Sequence, residues 1–199
     1  MAIINIKSKE RKPAALLFFM FFSIVSATIT GASVRDAVFL TQFDKSYLPV
    51  MFITIAVVMA GVIALYKKLT AGQDQIFVIS ISGALFSVSL FLLQSNLSGL
   101  FIPVLYIWME VVTILSIFQF WILAGEIFNA RQAKRIFTLL GAGGSFAGMG
   151  AGYGIKPFVS TFGSENLLFL TIFFIGLSVV MAQMLRPFRI PHTPKKVNS

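Results

Sequence analysis

Six apolar runs, joined by short polar links, constrain this chain more than any other feature of its sequence. Each run has about the 20 residues that a helix needs to cross a hydrocarbon core of about 30 Å. Hydrophobic residues make up 57% of the chain and charged residues 12%, whereas about a quarter of an average soluble chain is charged. The sequence therefore predicts an all-α polytopic membrane protein. Its predicted spans are residues 14–34, 46–66, 75–94, 99–124, 136–154 and 166–185.

The two ends of the chain are predicted to lie outside these spans. Residues 1–13 form a basic N-terminal tail and residues 186–199 a polar C-terminal tail. A basic start before an apolar run is also typical of a signal peptide. The run 14–34 is too long for the apolar part of such a peptide and lacks a convincing cleavage site, so we interpret it as the first span. The helix of the fourth span is predicted to continue to Asn129.

The distribution of positive charge predicts the topology. All of the sixteen Lys and Arg residues except Arg35, Lys45 and Lys156 lie in the two tails and in the links 67–74 and 125–135. Positive residues concentrate in cytoplasmic loops, so both termini are predicted to be cytoplasmic. The net charge of +9 follows from this topology, and a nucleic-acid partner is not predicted.

Catalytic and metal-binding patterns are not found in the sequence. There are no cysteines, and the one histidine, His192, lies in a proline-flanked tail. No Ser/His/Asp set and no closely spaced pair of acids suggests catalysis. We therefore predict neither an enzyme, nor a metal site, nor a cofactor.

Glu110 is the most informative polar residue. It lies about eleven residues into the fourth span, near the middle of the membrane at 1.5 Å per residue. A carboxylate there costs about 2.5–3.5 kcal/mol on insertion scales and normally faces a cavity or a polar partner. A site for a substrate, ion or proton is the favoured interpretation, and an acid that only fixes helix packing is the alternative.

Three further residues are candidates for the same cavity. Arg35 and Asp36 follow the first predicted span, and they reach into the protein only if that helix continues through them. If it stops at Val34, they form an ordinary interfacial pair worth about 0–1 kcal/mol, and this second reading is slightly favoured. Trp108 lies too deep in the fourth span for an interfacial anchor and is predicted to line the cavity.

Small residues in the fifth span predict close helix packing. Gly144, Gly148 and Gly152 recur every four residues, as in GxxxG contacts. The text GAGGSFAG also suggests a nucleotide-binding loop. However, it lacks the Lys-Ser/Thr of a phosphate loop, and no strand precedes it.

A cluster of charges follows the fourth span. Arg131, Lys134 and Arg135 lie in one predicted cytoplasmic loop with Glu126. They are explained either by topology and anionic lipid headgroups or by a gate that pairs with acids in one conformation. The sequence leaves both readings open.

Spans one to three and four to six each have a proline near one entry. This pattern permits a 3+3 inverted repeat, which is compatible with transporter architecture.

Three stretches resemble the nucleotide (ATP/ADP) transporters of bacteria and plastids, within the major facilitator superfamily. They are VRDAVFL at 34–40, WMEVVTILSIFQFW at 108–121 and GEIFNARQAKRIFTLLGAGGSFAG at 125–148. The third is the most specific, because a pair of membrane helices does not in general require AKR, an aromatic residue and a glycine-rich segment in this order. The resemblance covers most of the chain, as the N-terminal six-span half of a protein that normally has twelve spans.

The resemblance implies nucleotide exchange by alternating access across a bacterial inner membrane. It implies that Arg35 faces phosphate, that Glu110 is the cavity acid, and that Lys134 and Arg135 form the cytoplasmic loop motif. The expected partners are membrane lipid, a nucleotide or other anionic solute, and a second six-helix half. That half would be a C-terminal half, a separate chain or a second copy. Because some relatives look like transporter-fold modules attached to other domains, a sensor or scaffold without transport is the alternative.

Overall fold

The computed structural model describes residues 8–95 and 97–189, without the side chains of residues 8, 9, 130, 131 and 133–135. Within this part of the chain there are six long helices and no strand. Short 3₁₀ turns at Lys45–Tyr47 and Arg186–Phe188 precede α2 and follow α6. The helices are α1 (Ser8–Gln42), α2 (Leu48–Thr70), α3 (Gln75–Gln94), α4 (Phe101–Ile127), α5 (Ala130–Phe162) and α6 (Leu167–Met184).

Among the described residues, five of these helices are long and apolar enough to cross a membrane: α1, α2, α3, α4 and α6. This supports the predicted class of multi-pass membrane protein. The fifth predicted span, 136–154, lies within α5, which is not among the five. α5 is rich in glycine, and glycine contributes little hydropathy. At 33 residues it is nevertheless about 50 Å long at 1.5 Å per residue.

The helix ends differ from the predicted spans where a helix continues past its apolar run. α1 extends from Ser8 to Gln42 and includes Arg35 and Asp36, so the favoured prediction that this helix stops at Val34 is wrong. α3 begins and ends where predicted, at Gln75 and Gln94. The prediction that the fourth helix continues to Asn129 is wrong, because Phe128 has an extended backbone (φ −120°, ψ 134°) that ends α4 at Ile127.

Asn129 instead begins the next helix. Its side chain accepts a hydrogen bond from the Gln132 backbone N–H, and the Gln132 side chain accepts one from the Asn129 backbone N–H, each at 3.1 Å. This reciprocal capping box satisfies donors that the first turn of a helix leaves unpaired. The link between α4 and α5 is therefore a tight, capped corner.

α1 is the central helix of the bundle. It packs extensively against α4, α5 and α6, while α3 packs against α4 and α6, and α2 packs against α4. Every extensive helix–helix contact in the described chain therefore joins one of the first three helices to one of the last three. The same set of helix pairs is obtained when α1, α2 and α3 are exchanged for α4, α5 and α6, although α1 packs much more extensively on α5 and α6 than α4 does on α2 and α3.

Segments from both halves of the chain meet at one end of the bundle. Arg189, just after α6, contacts both Asp74 before α3 and Glu126 near the end of α4. Gln132 donates a hydrogen bond of 2.8 Å from its side chain to Glu10 of α1. We call this the basic end, since these residues come from the four segments in which the Lys and Arg residues concentrate.

Candidate functional site: a charged cluster between α1 and α4

The continuation of α1 past Val34 brings Arg35 against α4. A guanidinium N–H of Arg35 donates a hydrogen bond to Oε1 of Glu110. A second N–H, on Nε, donates to Oδ1 of Asp36 at 2.9 Å. The Arg35 side chain is only 11% exposed, so this cation is held inside the bundle by carboxylates from both helices.

An aromatic ring supports the same guanidinium. Tyr106 lies one helical turn before Glu110 on α4, so both side chains reach the same face. The Arg35 guanidinium carbon lies 4.4 Å from the centre of the Tyr106 ring. The ring of Phe39 also packs against the Tyr106 ring, with the ring centres 4.8 Å apart. Cation–π contact adds about 0.5–2 kcal/mol to such a site, with the larger value for a desolvated cation.

The cluster, defined as Arg35, Asp36, Glu110 and Tyr106, contains one cation and two carboxylates. A buried ion pair is costly to desolvate, and removal of one partner leaves a buried charge uncompensated. Charged groups within membrane spans normally face the bundle interior or a polar cavity and mark functional pathways. The Asp36 side chain is 51% exposed and that of Glu110 26% exposed, so the described chain does not fully cover the two carboxylates.

Trp108 does not join this cluster. Its indole N–H donates to the Ser89 hydroxyl of α3 at 2.8 Å, and its ring meets Phe86 of the same helix edge to face. Residues two apart on a helix do not share a face, so Trp108 and Glu110 are directed to different neighbours. Of the four predicted cavity residues, the structure brings together Arg35, Asp36 and Glu110.

Glu126, predicted as part of a cytoplasmic gate, takes part in an ion pair at the basic end. Nε of Arg189 lies 2.8 Å from Oε2 of Glu126, although this contact lacks the alignment of a hydrogen bond. Arg189 also donates a hydrogen bond to Asp74. The other predicted gate residues, Arg131, Lys134 and Arg135, have side chains outside the described part of the structure.

Electrostatics at this end favour the charged forms. Burial alone would raise the pKa of Asp74, but backbone N–H donors of Phe77 and Ile76 and the Arg189 guanidinium hold it below its ordinary value. Burial alone would lower the pKa of Arg189, yet Asp74 and Glu126 raise it. Ion pairs of Arg189 thus connect the segment after α6 to the start of α3, through Asp74, and to the end of α4, through Glu126.

The three glycines predicted to pack helices are in different surroundings. A Cβ on Gly144 would lie 3.1 Å from Cε1 of Phe21 on α1, so α5 approaches α1 closely there. Gly148 and Gly152 would meet nothing within 4 Å. Both line an open groove of about 620 Å³ beside Ile29 of α1.

Two residues that form these charged contacts were not predicted from the sequence. Tyr106 has a retrievable signal, because an aromatic residue four positions before an intramembrane acid must share its helix face. Arg189 has none, since an arginine after the last span is explained equally well by topology. Among the described residues there is also no group of three or more His, Cys, Asp or Glu side chains that could hold a metal ion.

Comparison of the chain with protein-family models, with curated proteins and with solved structures gives no match.

Proposed function

We propose that this chain is a transport bundle that binds an anionic solute, with a nucleotide exchanged for another nucleotide as the expected substrate. The observation that supports this proposal best is the ion pair between Arg35 and Glu110. It joins α1 to α4, which are the two helices exchanged by the repeat-like contact pattern. Transporters built from internal repeats bind substrate at the repeat interface, near the middle of the membrane.

In this proposal, substrate phosphate competes with Glu110 for Arg35. Guanidinium groups bind phosphate oxygens through paired, charge-assisted hydrogen bonds. With both carboxylates ionised, the cluster has an excess of one negative charge and repels an anion. Substrate entry therefore requires Glu110 to move away from Arg35. This competition links binding to a change in the α1–α4 contact.

The proposal includes a second six-helix bundle that covers the open side of the cluster. Alternating access then follows from rocking of one bundle against the other about a shared site. The half-exposed carboxylate of Asp36 marks the side from which the second bundle and the solute approach. Orientation in a bacterial inner membrane with cytoplasmic termini remains part of the proposal and is supported by the distribution of Lys and Arg.

The test is exchange of labelled ADP into proteoliposomes loaded with ATP. We expect uptake that depends on internal nucleotide, and we expect Arg35→Gln and Glu110→Gln to abolish it. Matched controls are Arg11→Gln and Glu165→Gln, which remove the same charges from exposed positions and should keep full exchange. Exchange that survives both cluster variants would refute the assignment of the site.

A scaffold or sensor without transport is the second candidate. It is favoured by the fact that Arg35 is already held by two carboxylates and an aromatic ring, as in a purely structural lock. In that case no nucleotide dependence appears in the uptake assay. Glu110→Gln then changes only the stability of the bundle.

A further inference from the structure

The structure contains an apolar groove on the flank of the bundle, on a different face of α4 from the charged cluster. Its walls are α2 and α3, which do not pack extensively against each other, and its floor is α4, on which α2 rests. The groove has a volume of about 500 Å³, within the usual range of ligand-sized cavities. Leu65 and Leu69 line one wall, Ile81 and Leu85 the other, and Trp108 the floor.

The groove begins at the basic end and reaches about half-way along the bundle. It extends from Thr70 to Val62 along α2 and from Phe77 to Phe86 along α3, or about 12–14 Å at 1.5 Å per residue. One leaflet is about 15 Å deep, half of a hydrocarbon core of about 30 Å. The depth of the groove therefore matches the length over which a phospholipid acyl chain lies in one leaflet.

The mouth of the groove carries positive charge. Lys67 and Lys68 form the last turn of α2 together with two residues that line the groove, and both lysines are exposed. Within the described part of the chain neither lysine takes part in an ion pair. The nearby acid, Asp74, is already bound by Arg189, so the mouth favours an anion.

From the shape, the depth and the charge of this groove we infer that the groove between α2 and α3 is a binding site for an anionic phospholipid. One acyl chain lies along the groove, and the phosphate lies near Lys67 and Lys68. This site is separate from the charged cluster and requires no transported solute.

Trp108 provides a reporter, because it lies in the floor and the chain has only one other tryptophan, Trp121. The full chain with Trp121→Phe is reconstituted in vesicles of phosphatidylcholine that contain a small fraction of lipid brominated on its acyl chains. Quenching by brominated phosphatidylglycerol is compared with quenching by brominated phosphatidylcholine. We expect Trp108 to be quenched more strongly by the anionic lipid, at saturable occupancy.

Two double variants distinguish a specific lipid site from a general attraction of anionic lipid to the positively charged protein. Each lysine near the surface changes the affinity for anionic lipid by about fivefold, so Lys67→Gln/Lys68→Gln should lower the preference by up to about 30-fold. Lys45→Gln/Lys156→Gln removes the same charge at exposed positions outside the basic end and should leave the preference unchanged. Far-ultraviolet circular dichroism and elution from gel filtration check that each variant is folded.

The tryptophan exchange supplies the decisive control. A protein with Trp108→Phe retains Trp121, which packs against Phe137 of α5 and should be quenched equally by both lipids. Equal quenching of Trp108 by the two lipids, or a preference that persists without Lys67 and Lys68, overturns the proposal. The same preference at Trp121 as at Trp108 shows a general lipid annulus and also overturns it.

Discussion

A Cβ added to Gly83 of α3 would lie only 2.4 Å from Cγ2 of Val179 on α6. The two helices therefore cross at a distance that only glycine permits. The contact lies in the described core and also involves Ile175, 3.8 Å from the same point. Because Val179 is β-branched and stiff about χ1, it cannot easily turn away.

Gly83→Ala is expected to destabilise the bundle. Overpacking of this kind costs about 1–3 kcal/mol, more than the 0.5–1 kcal/mol by which alanine favours a helix over glycine. Thermal unfolding in detergent measures the effect. Gly61→Ala on α2, where an added Cβ meets nothing within 4 Å, is the control and should not lower the melting temperature.

The same contact predicts a rescue. In the Gly83→Ala background, Val179→Ala removes the clashing methyl groups and should recover most of the loss. In the parent protein, Val179→Ala should destabilise by leaving a gap. A double variant that is less stable than the sum of the two changes would contradict the contact.

Substitutions in the charged cluster should be strongly non-additive. Glu110→Gln leaves Arg35 paired with Asp36 at 2.9 Å, and Asp36→Asn leaves it paired with Glu110. The double variant leaves a buried cation without a carboxylate, a change that typically costs 3–5 kcal/mol. Unfolding of the four proteins in a double-mutant cycle measures this coupling, and simple additivity would argue against a shared guanidinium.

The ion pair at the basic end should make stability depend on pH. The folded pKa of Asp74 is below its ordinary value of 3.8, so its contribution is fully present above that value and is lost as the pH falls through the folded pKa. Melting temperatures of the parent should therefore decline more steeply below about pH 4 than those of Asp74→Asn. Asparagine retains the capping role, so the difference isolates the charge. Identical pH profiles would show that the pair with Arg189 contributes nothing.

Gln132 has two roles that one substitution removes. Gln132→Ala loses the side-chain half of the capping box and the hydrogen bond to Glu10. We expect a loss of about 1 kcal/mol, concentrated at the start of α5. Amide hydrogen exchange should be faster there, while the middle of α3 is unchanged. Uniform acceleration across both helices would instead indicate global destabilisation.

The sequence predicted the helices better than their ends. Apolar runs predict the part of a helix that crosses the membrane, so 75–94 coincides with α3, whereas 14–34 misses both polar ends of α1. The extension of α1 through Arg35 places this cation against Glu110 and Tyr106 of α4. These contacts between helices are not contained in the local pattern of α1.

Of the candidate site, the sequence favoured only Glu110, because Arg35 and Asp36 were interpreted as an interfacial pair and Tyr106 was missed. Position within the membrane identified Glu110. The contacts of Trp108 with Ser89 and Phe86 of α3 could not be predicted from the sequence of α4 alone. The glycine stripe shows the same limit, since spacing predicted Gly144, Gly148 and Gly152 equally. Only the position of Phe21 on α1 distinguishes the first from the other two.

The contact pattern has a consequence for how the protein is made. Since no two of the described helices α1, α2 and α3 pack extensively on each other, these three helices have no large mutual interface when they leave the ribosome ahead of α4. α1 enters the membrane with Arg35 and Asp36 before Glu110 has been synthesised. Among the described helices, α4 is the first to emerge that packs extensively on all three. Assembly of this bundle therefore waits for the second half of the chain, and Arg35 of α1 spends an interval in the membrane without Glu110.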